Sequence, residues 1–361
     1  MNTSSHRIVG TGLFALDVIV RSDGKVSPPS LGGSAGNVLC ILGALGWKAT
    51  PIGTLGEDPA AQIVQRDFMS VEADLRFMEC SVERCTPIIY QHQLPAQGGS
   101  THRFSFACPT CGVRRRPHWD GEGRFAVERS ALPSSSVFFL DRPTRLGVAL
   151  AEHYAQSGTV VVFEPSEIGV DPDLFARAVR SAHIVKYADD RISGLAGFDL
   201  ESVLVEIQTR GVDGLRFRAP SLDNRWLSLG AYELPHVHDT AGAGDWCTAG
   251  MLFELFSRGA MDQRVTDYNV LARALTFGQA LSALNCMTEG ARGLLATWSP
   301  SRIVRSAREL SALRLNALFA ERLQPSARFS EPRLAALANG ASQSTKKPRS
   351  GSEGYLCCPA P

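Results

Sequence analysis

The sequence has 361 residues, 44% of them hydrophobic and 20% charged, with a formal net charge of +1 at neutral pH. A chain of this kind can bury a large core, as one big domain or two smaller ones, while near neutrality removes the electrostatic case for nucleic acid or an anionic membrane surface, and no apolar run is long enough to span a bilayer. The polar start Met1–Arg7 lacks the hydrophobic centre of a secretory signal, and nine cysteines scattered through apolar segments read as reduced thiols rather than a disulfide framework, so a soluble cytoplasmic protein is expected.

Residues Ile8 to Val20 read as two short strands broken at Gly10-Thr11-Gly12. The run Gly10-Thr11-Gly12-Leu13-Phe14-Ala15 formally satisfies the dinucleotide fingerprint G-x-G-x-x-G/A, which requires a helix directly after it. Here the β-branched segment Leu16–Val20 follows, then Pro28-Pro29. The fingerprint is therefore set aside, with a nicotinamide-dependent oxidoreductase kept as the lesser alternative. Gly32 to Gly46 reads as a tight Gly-Gly turn entering a helix, with Asn37 in its first turns; alone, such an Asn is an ordinary local cap. Pro51 to Gly56 is a strand and turn, and Asp58 is the N-cap expected for a helix running to Met69.

Cys80 to Ser130 departs from that regularity. Thr86–His92 and His102–Ala107 read as strands, the second with clearer alternation. Cys108-Pro109-Thr110-Cys111-Gly112 resembles one knuckle of a zinc ribbon. A two-residue gap lets both thiolates reach one tetrahedral ion, and Cys80 and Cys85 lie within ligand range upstream. The four are candidate ligands for a structural zinc ion, with His92, His102 and His118 as substitutes. The alternative is a plain turn and two small apolar residues. Arg114-Arg115-Arg116 reads as a solvated basic cluster, and the stretch from Pro117 to Ser130 as loop.

From Ser136 the period becomes strand–helix–strand. Val137–Leu140 and Thr159–Phe163 are continuous apolar runs, as strands buried on both faces require. Helical stretches follow near Arg145–Gln156 and Pro172–Ala182, then strands at His183–Lys186 and Leu204–Thr209. Alternating βαβ units predict a layered α/β fold with ligands at the carboxyl ends of the strands. That rule singles out Glu164, Lys186 and Thr209-Arg210-Gly211.

The richest stretch is His238 to Leu252. Gly242, Ala243 and Gly244 precede an apolar segment with helical spacing. Small residues there let backbone N–H groups converge on a ligand, and the helix start adds the positive end of its dipole. Asp245 stands at the mouth of this anion seat, where a carboxylate has chemical use as acceptor of a hydroxyl proton. Read without further context, the run is a Gly-rich turn with an Asp capping a helix.

The segment Asp239-Thr240-Ala241-Gly242-Ala243-Gly244-Asp245 resembles, position by position, the second signature of the ribokinase-like (PfkB-type) carbohydrate kinases, D-T-x-G-A-G-D. Gly32-Gly33-Ser34-Ala35-Gly36-Asn37 resembles the first signature, with Gly46 and Gly56 at the expected spacings and Leu39 where the family has a small residue. The resemblance spans about Arg7 to Leu295. It implies a ribokinase-like layered α/β/α fold with a mostly parallel central sheet and a small β-lid, the kinase domain covering residues 1–300 with 80–130 as a lid-associated Cys-containing insertion. It implies ATP-dependent phosphorylation of a sugar-like hydroxyl, with Asp245 as general base and Gly242–Gly244 as anion hole.

The same likeness makes Asp17, ending the first strand, Gly33 and Asn37 acceptor ligands. Lys186 becomes a phosphate partner, and the T-x-G-x-x-G segment Thr209, Gly211 and Gly214, together with Asn285, nucleotide contacts. Magnesium is implied, yet the family's Asn-x-x-Glu is absent after Ile184–Lys186, where Tyr187-Ala188-Asp189-Asp190-Arg191 stands; Asp189, Asp190 or Glu164 could replace it. The missing motif keeps open a catalytically weak relative that senses a sugar or nucleotide. Trp246 stands where relatives have a small residue, so its indole is expected to reshape the pocket. A homodimer through the lid is a further implication.

Beyond the anion turn, Thr248–Phe256 continues its helix, and Asp267–Asn285 forms another with small residues for close packing. Residues 301–361 comprise an amphipathic helix, Arg302–Arg322, and a tail. Ala341–Gly354 is rich in Ser, Gly and Lys and is expected to be disordered. Cys357-Cys358 is not placed as a prenylation signal.

Overall fold

The computed structural model describes residues 6–96, 99–117, 131–257 and 267–321. His118, the expected loop up to Ser130, the tail Ala341–Gly354 and Cys357-Cys358 lie outside the described residues.

The chain opens with β1 (Arg7–Thr11), β2 (Ala15–Val20), β3 (Ser30–Gly32), α1 (Ser34–Ala44), β4 (Lys48–Pro51), β5 (Gly53–Gly56) and α2 (Pro59–Met69). The break between the first two strands falls at Gly12–Phe14, two residues later than its glycines suggest, and no helix follows it, so the dinucleotide fingerprint has no structural counterpart. Asp58 caps α2 as expected, its Oδ1 accepting the Ala61 N–H at 2.9 Å. Next come β6 (Met78–Ser81), β7 (Ile88–Ala96), β8 (Gly99–Ser105), β9 (Val137–Leu140), α3 (Arg145–Gln156), β10 (Val160–Phe163) and α4 (Pro172–Ser181). The chain continues through β11 (Ile184–Ala188), β12 (Val205–Thr209), β13 (Leu215–Arg218) and β14 (Leu227–Leu229) into α5 (Ala243–Phe256), α6 (Tyr268–Cys286), α7 (Gly293–Thr297) and α8 (Pro300–Glu321).

Eight strands form the central sheet in the order β14-β13-β12-β11-β10-β9-β1-β4. It is parallel from β4 to β12, and β13 and β14 join antiparallel at one edge. The continuous apolar runs have the expected cause, because each strand is buried on both faces. Phe139, Val162 and Ile184 face a core built with α1, α5, α6 and α8. Phe138, Val161, Phe163 and Val185 face a second core that includes side chains of α3 and α4. Helix α8 contributes Ile303, Ala307 and Leu310 to the first core, so the start of the helix set apart at residue 301 packs into the body. This is the α/β/α arrangement that the alternation of strands and helices implies.

A second sheet of four strands, ordered β3-β2-β7-β8, forms the lid. β2 pairs parallel with β7, placing Asp17 beside Ile89, and antiparallel with β3, placing it beside Ser30. Asp17 therefore lies within a lid strand and does not end the first strand of the body. Its place was hidden because the pairing partner of β2 lies some seventy residues downstream, beyond any local pattern. β5 and β6 form a separate two-stranded sheet. Among the described residues, no helix is long and apolar enough to cross a membrane.

Candidate active site

The carboxyl ends of β1, β9, β10, β11 and β12 open onto a cavity of about 440 Å³ beneath the lid. It is lined by Asp17, Gly33, Asn37, Glu164, Lys186, Thr209 and Gly242–Asp245, with Ile89 and Phe104 of the lid. Most of the residues singled out in sequence thus meet at one place.

The anion turn is built by its own first residue. Asp239 is buried; its Oδ1 accepts the Ala241 N–H at 2.9 Å and its Oδ2 the Gly290 N–H at 2.9 Å. The chain then passes through Gly242 in the left-handed region, φ 72°, where a Cβ would lie 2.4 Å from the Ala291 carbonyl oxygen. Only glycine meets both conditions, conformation and contact. Helix α5 starts immediately after, so the Gly244 and Asp245 N–H groups are first-turn donors with no intrahelical acceptor. Fourteen residues of helix align their dipole behind them.

Asp245 itself is buried, and the Asn37 amide donates to its Oδ2 at 2.8 Å. Burial pushes its carboxyl well above the usual carboxylate range and the nearby Glu164 charge adds to this, while the Asn37 bond and Lys186 pull it back. Asn37 is held by α1, whose N-cap Gly33 has φ 79° and leaves no room for a side chain, since a Cβ would lie 2.2 Å from the Leu13 carbonyl oxygen. The Asn37 Oδ1 is buried without a hydrogen-bond partner. Asp17 faces the same cavity from the lid; burial raises its carboxyl to about 7, against the lowering effect of Arg292.

Asp141 was missed in sequence. It directly follows the apolar run of β9, and the rule that ligands gather at strand ends could have flagged it. Fully buried, it accepts the Leu13 N–H at 2.9 Å and the Ala35 N–H at 3.3 Å. One carboxylate thereby ties the loop after β1 to the start of α1, the two segments that carry Leu13, Gly33 and Asn37.

On the opposite wall, Lys186 at β11 donates to Glu164 and, at 3.2 Å, to the Gly244 carbonyl. Burial is the largest influence and opposes its charge, but Glu164, Cys247 and Asp245 together hold its pKa above the ordinary value. Glu164 also accepts from Thr248 at 2.5 Å. Thr209 lines the cavity with them. Gly211 and Gly214 do not line it; they shape the turn from β12 into β13, where Arg210 N–H donates to the Gly214 carbonyl at 2.8 Å.

Three expectations are corrected. Asn285, expected as a nucleotide contact, does not line the cavity: it is wholly buried, its amide donating to the Ala241 and Gly290 carbonyls at 3.1 and 3.2 Å and its Oδ1 accepting from Leu294 N–H at 3.2 Å. Trp246 does not intrude on the pocket either; the helix turns it into the core, fully buried, where Nε1 donates to the Ala291 carbonyl at 3.0 Å. It braces the loop against which Gly242 rests. The cysteines, lastly, do not assemble a zinc site. Cys80 is on β6 in the two-stranded sheet, whereas Cys108 follows β8 of the lid and closes a turn with the Gly112 N–H at 2.9 Å. Among the described residues, no group of three or more His, Cys, Asp or Glu could hold a metal ion.

The α/β/α body, the four-stranded lid and the shared cavity define a ribokinase-like fold, and comparison with known proteins bears this out. No protein-family model matches the chain. It is 26% identical over 308 residues to an ATP-dependent ribose-1-phosphate kinase of Halopiger xanaduensis, covering 79% of this chain and 94% of the relative. Among solved structures it resembles a fructokinase with bound ATP from Xylella fastidiosa, with a TM-score of 0.66 and 16% identity over 84% of this chain and 99% of that one. It resembles ribokinase from Giardia lamblia similarly, with a TM-score of 0.65 and 16% identity over the same shares. With both signatures in place on this fold, the chain resembles the ribokinase-like, PfkB-type carbohydrate kinases.

Proposed function

We propose that the protein transfers the γ-phosphoryl group of ATP to a hydroxyl of a sugar-like small molecule held between the lid and α1. The observation that carries this is the meeting, in one cavity, of a buried carboxylate at Asp245, the N-terminus of α5 at Gly244 and the Lys186 ammonium. Asn37 and Asp17 orient the acceptor. Asn37 occupies Oδ2 of Asp245, leaving Oδ1 to accept the hydroxyl proton. As the acceptor oxygen bonds to phosphorus, the bond from the γ-phosphorus to the β,γ-bridging oxygen breaks and ADP leaves. The turn's N–H groups and Lys186 stabilise charge on the transferring oxygens, which is where catalysis of phosphoryl transfer chiefly lies. The relatives point the same way: their names specify ATP dependence, ribose 1-phosphate and fructose.

Glu164 suits magnesium better than Asp189 or Asp190. Its Oε1 is 3.5 Å from where a Cβ of Gly244 would stand, while both aspartates are exposed and outside the cavity. Magnesium typically takes one or two carboxylates, several waters and the substrate's phosphates, and bound there it would supply charge neutralisation at the β- and γ-phosphates. A panel of sugars, nucleosides and sugar acids incubated with ATP, with ADP and phosphorylated product both measured, tests the reading. One acceptor must give stoichiometric product; no transfer to any member of a broad panel contradicts it.

A further inference from the structure

The lid makes contacts whose consequence lies outside the acceptor pocket. Along β2 and β7, paired in register, alternate residues project from the same side of the sheet: Asp17 and Ile19 on one strand, with Arg21 directly after its end, and Ile89, Gln91 and Gln93 on the other. At one end of this face Asp17 and Ile89 line the acceptor cavity. At the other, Arg21 grips Glu289 with Nε and Nη2 at 3.1 and 2.8 Å, and Gln93 reaches the same carboxylate at 3.4 Å. Ile19 lies between them, its Cδ1 2.9 Å from where a Cβ on Gly290 would be. Gln91 is also between them, buried, donating from Nε2 to Asp239 Oδ2 at 2.6 Å.

That last contact joins the lid to the anion turn. The Oδ2 of Asp239 that receives Gln91 also receives the Gly290 N–H, while its Oδ1 receives the Ala241 N–H one residue before Gly242. Gly290 is followed by Ala291, whose carbonyl lies against Gly242 and accepts from Trp246. A displacement of the lid strand therefore changes the load on one carboxylate that anchors both sides of the turn.

We infer that Gln91 is a positioning residue for the anion turn. Through Asp239 it couples the seating of the lid over the acceptor to the alignment of the N–H groups that receive the triphosphate. The acceptor is felt at Ile89 and Asp17, two residues along from Gln91 and Ile19 on the same strands, so lid closure and turn alignment are one movement. This rests on the kinase reading for its meaning, and its test is chosen to separate the two.

The variant is Gln91→Leu, which keeps bulk and removes the donor, with His92→Ala on the opposite face of β7 as control. Two quantities are read: amide exchange at Ala241 and Gly290, the two N–H groups held by Asp239, and affinity for AMP-PNP with magnesium. Gln91→Leu should accelerate exchange at both amides by about tenfold and weaken AMP-PNP by a similar factor, the usual worth of one buried hydrogen bond. Exchange in the buried strand β10 should stay unchanged, and His92→Ala should alter none of these. Wild-type exchange at Ala241 and Gly290 in Gln91→Leu overturns the inference, as does acceleration spread equally to β10, which signals general loosening. Should the wild type fail to bind AMP-PNP, the kinase reading falls, while the two amides still decide whether Gln91 positions the turn.

Discussion

Two glycines of the anion turn, two positions apart, should respond to the same methyl group in opposite ways. At Gly242 the backbone has φ 72° and a Cβ would stand 2.4 Å from the Ala291 carbonyl oxygen, itself fixed by the Trp246 indole. Alanine there meets a left-handed penalty of roughly 1–2 kcal/mol and an overpacking cost of about 1–3 kcal/mol. Gly242→Ala should thus lose on the order of 2–5 kcal/mol, a large share of the ~5–15 kcal/mol that typical domains possess. At Gly244 the backbone is helical and the nearest atoms to a Cβ, Glu164 Oε1 and Lys186 Nζ, are both 3.5 Å away. Gly244→Ala should leave stability unchanged or raise it by up to ~1 kcal/mol through helix propensity. The new methyl stands among the groups proposed to receive the phosphates, so turnover should fall by roughly 10²-fold through misplacement. Urea unfolding and steady-state kinetics on both variants make the comparison. Full stability in Gly242→Ala, or wild-type kinetics in a folded Gly244→Ala, refutes the assignment of one glycine to the fold and the other to the ligand.

Asn285→Ala should cost about 2–5 kcal/mol by stranding buried backbone groups, with KM for ATP in the surviving folded enzyme within a few-fold; a large KM change at normal stability restores the nucleotide role. Asp141→Ala should raise KM for the acceptor and cost about 1–3 kcal/mol for each N–H left unpaired, measured by unfolding and acceptor titration; unaltered acceptor kinetics shows that Leu13 and Ala35 need no tether. Asp17 gives a pH signature. Its carboxyl rises from the ordinary 3.8 to about 7 in the folded state, so the folded chain holds a proton that the unfolded chain has released between those values. Stability from this group accordingly falls as pH rises through that window. Asp17→Asn should remove that part of the decline in urea midpoint between pH 4 and 7, and an identical slope in the variant shows that Asp17 does not titrate there.

Elements with a local cause were legible in the sequence, and those with a distant one were not. Helix α3 begins at Arg145 and ends at Gln156 as its periodicity predicts, and Asp58 announces α2 because an N-cap acts within three residues. The buried parallel strands declared themselves by runs such as Val137–Leu140. Asp245, Asn37, Gly33 and the Gly242–Gly244 turn were legible through their signatures, and the fold gathers them. What escaped depended on contacts between remote segments. Asp17 belongs to the lid only because β2 pairs with β7. The direction in which Trp246 points is set by the Ala291 loop, and Asn285 is consumed by backbone groups on either side of it in space. A Cys-x-x-Cys spacing likewise says nothing about where the second pair of cysteines will be carried; here Cys80 lies on β6 of the two-stranded sheet, while Cys108 and Cys111 lie in the turn after β8 of the lid.

The central claim is that Asp245 takes the acceptor's proton in phosphoryl transfer. Asp245→Asn keeps the size and the neighbours of the side chain while removing the basic oxygen. With the acceptor identified by the panel, kcat for this variant should fall by roughly 10²–10⁴, the worth of a positioned general base, while the affinity for AMP-PNP with magnesium stays within a few-fold. Wild-type turnover by folded Asp245→Asn enzyme, on the same acceptor, contradicts it.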